Sequence, residues 1–372
     1  MIIHFSVLFV IMFAAFVWGR YIRVSKLNCI SHDMDYARVL GPLLPWLLVF
    51  GYLAFLAGMR SGMNDTSVYV ADFQEAAGTW EEFFSIWESD QKDKAFYALQ
   101  SLFKCLVSDE YHAWFFLFSV LESLALIYVL RRECVDFTVA CFFFFASALY
   151  YNYFSMMRQW FAVVMLFAGS QLIKKNKTVL YILLCVVMSQ FHTSAILFIP
   201  VYFIVRGRAW SRKQNFIIGV FAAGMVLLNP ILSSMEEMLQ GSTYDYVIDT
   251  MQTSSGSSAI RILIAAVPVV LAWIFRDRIQ SKMLNISVNM SLLNLMLTTL
   301  ATFTSGLYVV RLSVYTNMYN IILYPYLISV CFRGRNRQLI KLGFYTFYFM
   351  FYFYQMWYQG AFGYSSDILG RF

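Results

Sequence analysis

Charged residues are scarce in this chain of 372 residues. Only 13% of the residues are Asp, Glu, Lys or Arg, whereas a soluble globular domain contains about 25%. Hydrophobic residues make up 60%, including 37 Phe and 25 Tyr, and the mean hydropathy is +0.62. This composition excludes a water-soluble enzyme, a nucleic-acid-binding module and a disordered chain. The net charge of +7 therefore indicates which side of a bilayer each loop occupies, and we expect no nucleic-acid partner.

Patterns that accompany other folds and chemistries are also missing. The six cysteines form no CxxC pair and no cluster with metal-ligand spacing, so we predict neither a metal site nor a cofactor. No segment alternates between polar and apolar residues as the strands of a membrane β-barrel do. The first apolar segment lacks a basic start and a small-residue cleavage site, and we expect it to be a retained span. The sequence thus predicts an all-α polytopic membrane protein.

Long apolar segments set the predicted number of transmembrane helices. A hydrocarbon core of about 30 Å needs roughly 20 apolar residues per helix. Twelve segments approach this length, near residues 2–19, 40–59, 112–130, 137–153, 159–173, 178–191, 193–205, 215–233, 260–275, 287–306, 312–330 and 342–358. We therefore predict a single transmembrane domain over residues 1–372 with about 12 transmembrane helices.

The basic residues predict the orientation of these helices. Twenty of the 28 Lys and Arg residues fall in alternate connections, beginning with the one after the first segment. Because basic residues in short loops favour the cytoplasmic side, both termini are expected to be extracytoplasmic. The two long polar connections, 60–110 and 234–260, are then extracytoplasmic loops.

The loop 60–110 carries ten acidic residues against four basic ones. Thr79 to Glu82 fits a capping box, and aromatic residues follow it at helical spacing. The sequence predicts two amphipathic helices, with apolar stripes formed by Trp80, Phe83, Phe84 and Trp87 and by Phe96, Leu99, Phe103 and Leu106. They are expected on the membrane surface or over a cavity. A lid that only covers apolar surface is an equal alternative.

Four ionisable groups stand at or inside the predicted outer edge of the membrane, namely Arg60, Arg158, His192 and Arg311. At 1.5 Å per helical residue, Arg158 and His192 lie about 21–24 Å from the cytoplasmic ends of their helices. An Arg at such a depth costs roughly 2.5 kcal/mol or more unless it faces a watered cavity. Separately, each Arg could contact lipid headgroups and His192 could bind a backbone carbonyl. Together, the four groups predict an outward-facing site, with Asp65 as a carboxylate at its mouth.

Several Arg residues with a His and an Asp suit one kind of chemistry. Guanidinium groups match phosphate oxygens and stabilise the charge of a departing diphosphate. A His or Asp within reach can take the proton of an attacking hydroxyl. Transfer of a sugar from a lipid diphosphate to an alcohol needs these parts, and it needs no ATP. The sequence leaves open whether His192 or Asp65 is the base, and we favour His192 because Asp65 could instead orient an Arg.

Four short motifs contain these residues. They are the segment R-S-G-M-N-D-T-S-V-Y at 60–69 with Phe73 beyond it, M-R-Q-W-F-A at 157–162, F-H-T-S-A-I-L-F-I-P at 191–200, and R-L-S-V-Y at 311–315. Together they resemble the motifs of the EpsG family. Their order and spacing fit over residues 50–330. The resemblance implies a Wzy-like polymerase of O-antigen, capsule or exopolysaccharide with a GT-C-like helical scaffold. Carried over residue by residue, it implies a site lined by Arg60, Asp65, Tyr69, Arg158, Gln159, His192, Ser194 and Arg311.

The resemblance also implies the partners and the location. The expected substrates are polyprenyl-diphosphate-linked oligosaccharides at the outer face of the bacterial plasma membrane, surrounded by membrane lipids. A chain-length regulator protein is a further conceivable partner. Two alternatives from other classes remain at this point. One is a flippase of the same lipid-linked oligosaccharide, which would place its charges near the membrane midplane, and the other is a membrane sugar acyltransferase.

Overall fold

The computed structural model describes the backbone of residues 2–28, 42–228, 256–304, 306–359 and 363–371. Within these ranges the chain is helical, as predicted, with one pair of very short strands. Contacts divide it into two compact units: Met1–Ile199 together with Tyr324–Phe372, and Pro200–Leu323. The predicted second outer loop, 234–260, lies outside the described residues except for 256–260.

The helices in residues 2–205 are mostly short. In order they are α1 (Ile2–Asn28), α2 (Leu43–Gly58), α3 (Thr66–Glu75), α4 (Trp80–Glu88), α5 (Lys94–Leu106), α6 (Tyr111–Glu133), α7 (Phe137–Ala146), α8 (Met157–Ala168), α9 (Ser170–Lys174), α10 (Thr178–Ser189) and α11 (Phe198–Val205). Short 3-10 helices, Leu149–Phe154 and Thr193–Leu197, precede α8 and α11.

The rest of the chain continues in the same way. Its helices are α12 (Arg212–Val226), α13 (Ile260–Ile274), α14 (Lys282–Phe303), α15 (Gly306–Asn317), α16 (Asn320–Ser329) and α17 (Gly334–Gln359), with a 3-10 turn at Arg276–Arg278. The strands β1 (Ser365–Ser366) and β2 (Gly370–Arg371) pair antiparallel.

Three of the described helices are long and apolar enough to cross a membrane. They are the Ile2–Gly19 part of α1, α6 and α14. Shorter apolar helices coincide with other predicted segments. They are α2, α7, α10, Thr193–Val205, α13 and α16. The protein is therefore a helical, membrane-embedded protein, whereas the count of twelve spans stays a prediction.

The pairing of α2 with α6 forms much of the first unit. Both helices are apolar, so hydroxyl groups rather than hydrophobic contrast supply the specific contacts. Ser119 of α6 donates to the carbonyl of Ala54 at 3.1 Å, and Ser123 donates to the carbonyl of Phe50 at 2.8 Å. These bonds fix the register between the two helices, and α2 ends where the 60–110 loop begins.

The predicted segment 137–153 is broken in the structure. Helix α7 ends at Ala146, and the 3-10 helix Leu149–Phe154 lies between Ala148 and Met156, which both adopt left-handed backbone conformations with φ of 59° and 50°. Left-handed conformations are uncommon for residues with a side chain, so each ends one helix and redirects the chain. The second of them places Arg158 in the first turn of α8.

The second unit contains a row of buried amide side chains on α14. Asn285 accepts the N–H of Ala209 at 2.7 Å, and Asn289 donates to the carbonyl of Val205 at 2.8 Å. Farther along, the hydroxyl of Thr316 donates to Asn294 at 3.3 Å. Neutral amides of this kind join helices without burying charge.

Candidate active site

Three helices form the 60–110 loop. At the start of α4, the hydroxyl of Thr79 accepts the N–H of Glu82 at 3.2 Å, as in the predicted capping box. The Glu82 carboxylate accepts the N–H groups of Ala77 and Gly78 at 3.0 and 2.9 Å. Burial opposes ionisation of Glu82, but hydrogen bonds from Ser101, Ala77 and Gly78 lower its pKa. The first turn of α4 is thereby fixed.

The two predicted apolar stripes have different surroundings. On α4, Trp80, Phe84 and Trp87 are exposed, as expected of a helix at a membrane surface. On α5, Phe96 and Phe103 are buried and contact Trp114 of α6. Helix α5 is therefore held against the body of the unit, and the residue that precedes it, Asp93, has a fixed position.

Asp93 joins two of the predicted site residues. Its Oδ2 atom lies 3.1 Å from Nη1 of Arg158 and 3.7 Å from Nδ1 of His192. Its Oδ1 atom accepts the backbone N–H of Thr193 at 3.1 Å and the Thr193 hydroxyl at 3.3 Å. We call Asp93, Arg158, His192, Thr193 and Tyr97 the Asp93 cluster. It connects the start of α5, the first turn of α8 and the link between α10 and the following 3-10 helix.

The burial of these side chains suits binding of a charged ligand. The Asp93 side chain is 8% exposed, whereas those of Arg158 and His192 are 27% and 30% exposed. Within the described part of the chain, Nδ1 of His192 is buried and has no hydrogen-bond partner. The exposed part of the imidazole is consequently the rest of the ring. The buried Asp93 carboxylate thus holds the Arg158 and His192 side chains in place, and part of each of these two side chains stays exposed.

Aromatic rings surround the guanidinium of Arg158. Its central carbon lies 5.3 Å from the ring centre of Tyr97 and 5.8 Å from those of Tyr69 and Phe96. Arg158 also donates to the Tyr97 hydroxyl at 2.8 Å. Burial raises the pKa of Tyr97, so the phenol is neutral. Contacts with several ring faces hold a cation in place without neutralising it, and a phosphate can still bind. The structure thus joins the predicted residue Tyr69 to the cluster.

Arg60 is buried inside the protein, being only 2% exposed. Its guanidinium donates to the carbonyl of Ala57 at 2.6 Å and to the Thr66 hydroxyl at 3.2 Å, and it lies 4.2 Å from the ring centre of Phe115. Its Nη2 also lies 3.9 Å from the sulfur of Met157. Arg60 therefore ties the start of the loop to the residue next to Arg158.

Asp65 also contacts the segment before Arg158. It precedes α3, and its Oδ2 atom accepts the N–H of Met156 at 3.4 Å. Met156 is the left-handed residue at which α8 begins. Both Arg60 and Asp65 thus support the first turn of α8.

A short strand pairing holds the same part of the loop. The N–H groups of Ser61 and Gly62 donate to the carbonyl of Ser365 at 2.8 and 3.1 Å. A Cβ atom on Gly62 would lie 2.2 Å from the Ser365 hydroxyl oxygen, so a larger residue there would require that hydroxyl to rotate away. No residue pattern in these two segments predicts this pairing.

Three further residues were predicted to line the site. Gln159 is buried on α8 next to Arg158, and Ser194 is half-buried two residues after His192. Arg311 is exposed on α15 in the second unit. Among the described residues, no three His, Cys, Asp or Glu side chains are arranged to hold a metal ion.

Asp93 is the residue that sequence reasoning missed. It is one of ten acidic residues in the loop and directly precedes the second amphipathic stripe, a position typical of a helix N-cap. In the structure it has a left-handed backbone, with φ of 60°, and makes no side-chain cap to α5. Its position before a helix gives no indication of its contacts with Arg158 and His192, which depend on the tertiary fold.

Comparison with known proteins agrees with the motif pattern. The sequence profile of the EpsG family matches residues 43–366, which is most of the chain. The chain belongs to the EpsG family. This family includes Wzy-like polymerases, so membership indicates a membrane protein of the polysaccharide-polymerase type with glycosyltransferase-like chemistry. No curated protein and no solved structure matches the chain.

Proposed function

We propose that this EpsG-family protein polymerises polyprenyl-diphosphate-linked oligosaccharide repeat units. The observation that supports it best is the convergence of Arg158 and His192 on the buried carboxylate of Asp93. A fixed, partly open guanidinium suits the diphosphate of a donor. A partly open imidazole beside it suits proton transfer from an acceptor hydroxyl. The product belongs to O-antigen, capsule or exopolysaccharide synthesis.

The proposed reaction is a single displacement. A hydroxyl oxygen of the incoming repeat unit attacks the anomeric carbon of the growing chain, and the bond from that carbon to the lipid diphosphate breaks. Arg158 stabilises the negative charge that develops on the departing diphosphate. His192 takes the proton of the hydroxyl, and the nearby Asp93 carboxylate stabilises the imidazolium that forms. In this proposal the protein supplies no metal ion and no cofactor.

The contacts favour His192 over Asp65 as the base. Asp65 accepts a backbone N–H from Met156, which suits a residue that positions the start of α8. We assign Arg60, Tyr69 and Gln159 to the positioning and lining of the site. Ser194 and Arg311 enter the proposal through the family pattern, with Arg311 as a second diphosphate ligand.

The distribution of basic residues supplies the proposed location. We place the site at the outer face of the bacterial plasma membrane, with both termini extracytoplasmic and a GT-C-like arrangement of about 12 transmembrane helices. Membrane lipids surround the protein, and a chain-length regulator is a proposed partner.

A reconstituted assay tests the function. Purified protein is incubated with a lipid-diphosphate-linked repeat unit and a chelator but without nucleotide, and the products are separated on a gel. We expect a ladder of lengthening chains together with free lipid diphosphate. Movement of the intact lipid-linked unit across a vesicle membrane, without a ladder, would instead establish a flippase. Transfer of an acyl group to the sugar would establish an acyltransferase.

A matched pair of variants tests the site. Arg158→Ala should abolish the ladder, because the diphosphate loses its fixed cation. Arg132→Ala is the control. Arg132 also stacks on a tyrosine, with its guanidinium 4.2 Å from the ring centre of Tyr128, but it lies in the last turn of α6, whereas the start of α6 packs against α5. Equal ladders from both variants would refute the assignment of Arg158.

A further inference from the structure

A polar cleft opens among the three helices of the 60–110 loop. Its volume is about 250 Å³. The residues that line it are Asp72, Glu75, Ala76, Glu82, Ile86, Gln91, Tyr97 and Gln100. Three of them are acidic and none is Lys or Arg, so the lining carries negative charge, part of which Lys104 offsets where it donates to the carbonyl of Ala76. Of the lining residues, Tyr97 alone belongs to the Asp93 cluster.

Gln100 indicates that the cleft is built to hold a ligand. The residue is 2% exposed, and its Nε2 donates to the backbone carbonyl of Asp72 at 2.9 Å. This bond fixes the orientation of the amide, since a flipped amide would place two oxygens together. Its Oε1 has no hydrogen-bond partner among the described residues. A buried acceptor without a donor is unfavourable, so Gln100 adds an unsatisfied acceptor to the lining of the cleft.

Tyr97 connects the cleft to the Asp93 cluster. Its hydroxyl accepts a hydrogen bond from Arg158 at 2.8 Å and donates one to Oδ2 of Asp72 at 3.4 Å. One side chain therefore separates the cleft from the guanidinium proposed to hold the diphosphate. A molecule bound to Arg158 through its diphosphate can extend its next groups into the cleft.

The lining selects the chemistry of those groups. Carboxylates and an amide oxygen accept hydrogen bonds, and sugar hydroxyls donate them. The carboxylate of Glu82 is already held by two backbone N–H groups, so its position is fixed. Among the described residues no group of acidic side chains is arranged to hold a metal ion. A negatively charged ligand would be repelled.

We infer that this cleft binds a sugar residue of the repeat unit, and that this sugar carries no acidic group. The inference deepens the proposed function and rests on it, because the sugar is supplied by the lipid-linked substrate. It adds a specificity determinant, formed by α3, α4 and α5, to the catalytic cluster.

Binding can be measured separately from polymerisation. The probe is the oligosaccharide released by mild acid from the lipid-linked repeat unit, and saturation-transfer NMR reports its binding to the purified full-length protein. The double variant Glu75→Gln with Gln91→Ala changes two exposed residues at the cleft and should leave the fold intact. We expect its affinity to fall at least fivefold. Glu88→Gln, exposed on α4 outside the cleft, is the matched control and should bind like the wild type.

A second probe tests the charge selection. Oxidation of the primary hydroxyls of the same oligosaccharide to carboxylates should weaken binding to the wild type at least tenfold. Glu75→Gln should regain part of that loss. Equal binding of the native and oxidised probes would overturn the charge argument.

The outcomes separate this inference from the proposed function. No binding by the wild type, or equal binding by the cleft variant and the control, would overturn the sugar subsite even if a polymer ladder forms. Weakened binding by the cleft variant without a ladder from the wild type would refute the polymerase while keeping the subsite.

Discussion

Asp93 and Asp136 stand at equivalent places in their local sequence, each directly before a helix, yet their carboxylates do different things. Asp136 caps its own helix, because its Oδ1 accepts the N–H groups of Thr138 and Val139 at 3.1 and 3.2 Å. Its Oδ2 accepts the Ser329 hydroxyl at 2.7 Å and the Lys341 ammonium at 2.8 Å. Both of its oxygens are used in joining α7, α16 and α17.

Asp93 makes no such cap, and its carboxylate faces away from α5. It binds Arg158, approaches His192 and accepts from Thr193, all of which belong to other elements. The His192 contact, at 3.7 Å, is longer than a hydrogen bond, whereas all four contacts of Asp136 are within hydrogen-bond distance. A complete set of bonds indicates a structural role. An incomplete set around a buried carboxylate indicates a site whose geometry is finished by a ligand or a proton.

Removing the charge of each aspartate gives the largest expected difference. Asp93→Asn should lower the rate of polymerisation about a hundredfold or more, since the imidazolium and the Arg158 guanidinium lose their anchor. Its thermal stability in detergent should change little. Asp136→Asn should keep a rate within a few-fold of the wild type but lose about 1–2 kcal/mol of stability, because it weakens the cap and an ion pair.

Gel ladders and thermal unfolding of the two purified variants provide the measurement. The comparison fails if Asp93→Asn is active, or if its loss of activity merely follows a loss of folded protein. In either case Asp93 would be a second structural aspartate.

The next prediction concerns the shape of the cation. Arg158→Lys keeps the charge but loses the planar fork that binds Asp93, Tyr97 and a phosphate together. We expect about a tenfold loss of rate, on the scale of one strong hydrogen bond to a charged group. Arg132→Lys, with its exposed position on α6, should change the rate by less than twofold. An unchanged rate in Arg158→Lys would show that only the charge at this position matters.

How far the sequence could predict these regions depends on the range of the interactions involved. The predicted segments 178–191, 193–205 and 260–275 match helical segments of the structure to within two residues at each end. Their bounds were predictable because a continuous apolar run is a local property of the sequence. The prediction of one helix over 137–153 is wrong, since Ala148 and Met156 take left-handed backbone conformations. Neither residue is a glycine, so the sequence does not indicate the break.

The candidate site shows the same division. Arg158 and His192 were found because a charge in an apolar segment is conspicuous in the sequence. The burial of Arg60 could not be predicted, because a depth counted along a helix gives no information about the residues that cover the side chain. Asp93 was missed since its role depends on residues 65 and 99 positions away in the chain. Charged positions in apolar helices are readable from sequence, whereas their counterions in polar loops are not.

The smallest effect is expected from removing the hydroxyl that donates a hydrogen bond to each aspartate. Thr193→Val removes the 3.3 Å bond to Asp93 but leaves the backbone N–H bond at 3.1 Å, so the link between α5 and the His192 segment is weakened rather than lost. We expect about a threefold lower rate and no measurable change in stability, because this bond is long and exposed, so that water can replace the lost hydroxyl. Ser329→Ala removes the 2.7 Å bond to Asp136 and should lower stability by about 1 kcal/mol without changing the rate. Initial rates and thermal unfolding of both variants, measured side by side, test whether similar hydroxyl deletions separate into an effect on activity and an effect on stability. A loss of stability in both, with equal rates, would mean that the two aspartates differ in position alone and not in function.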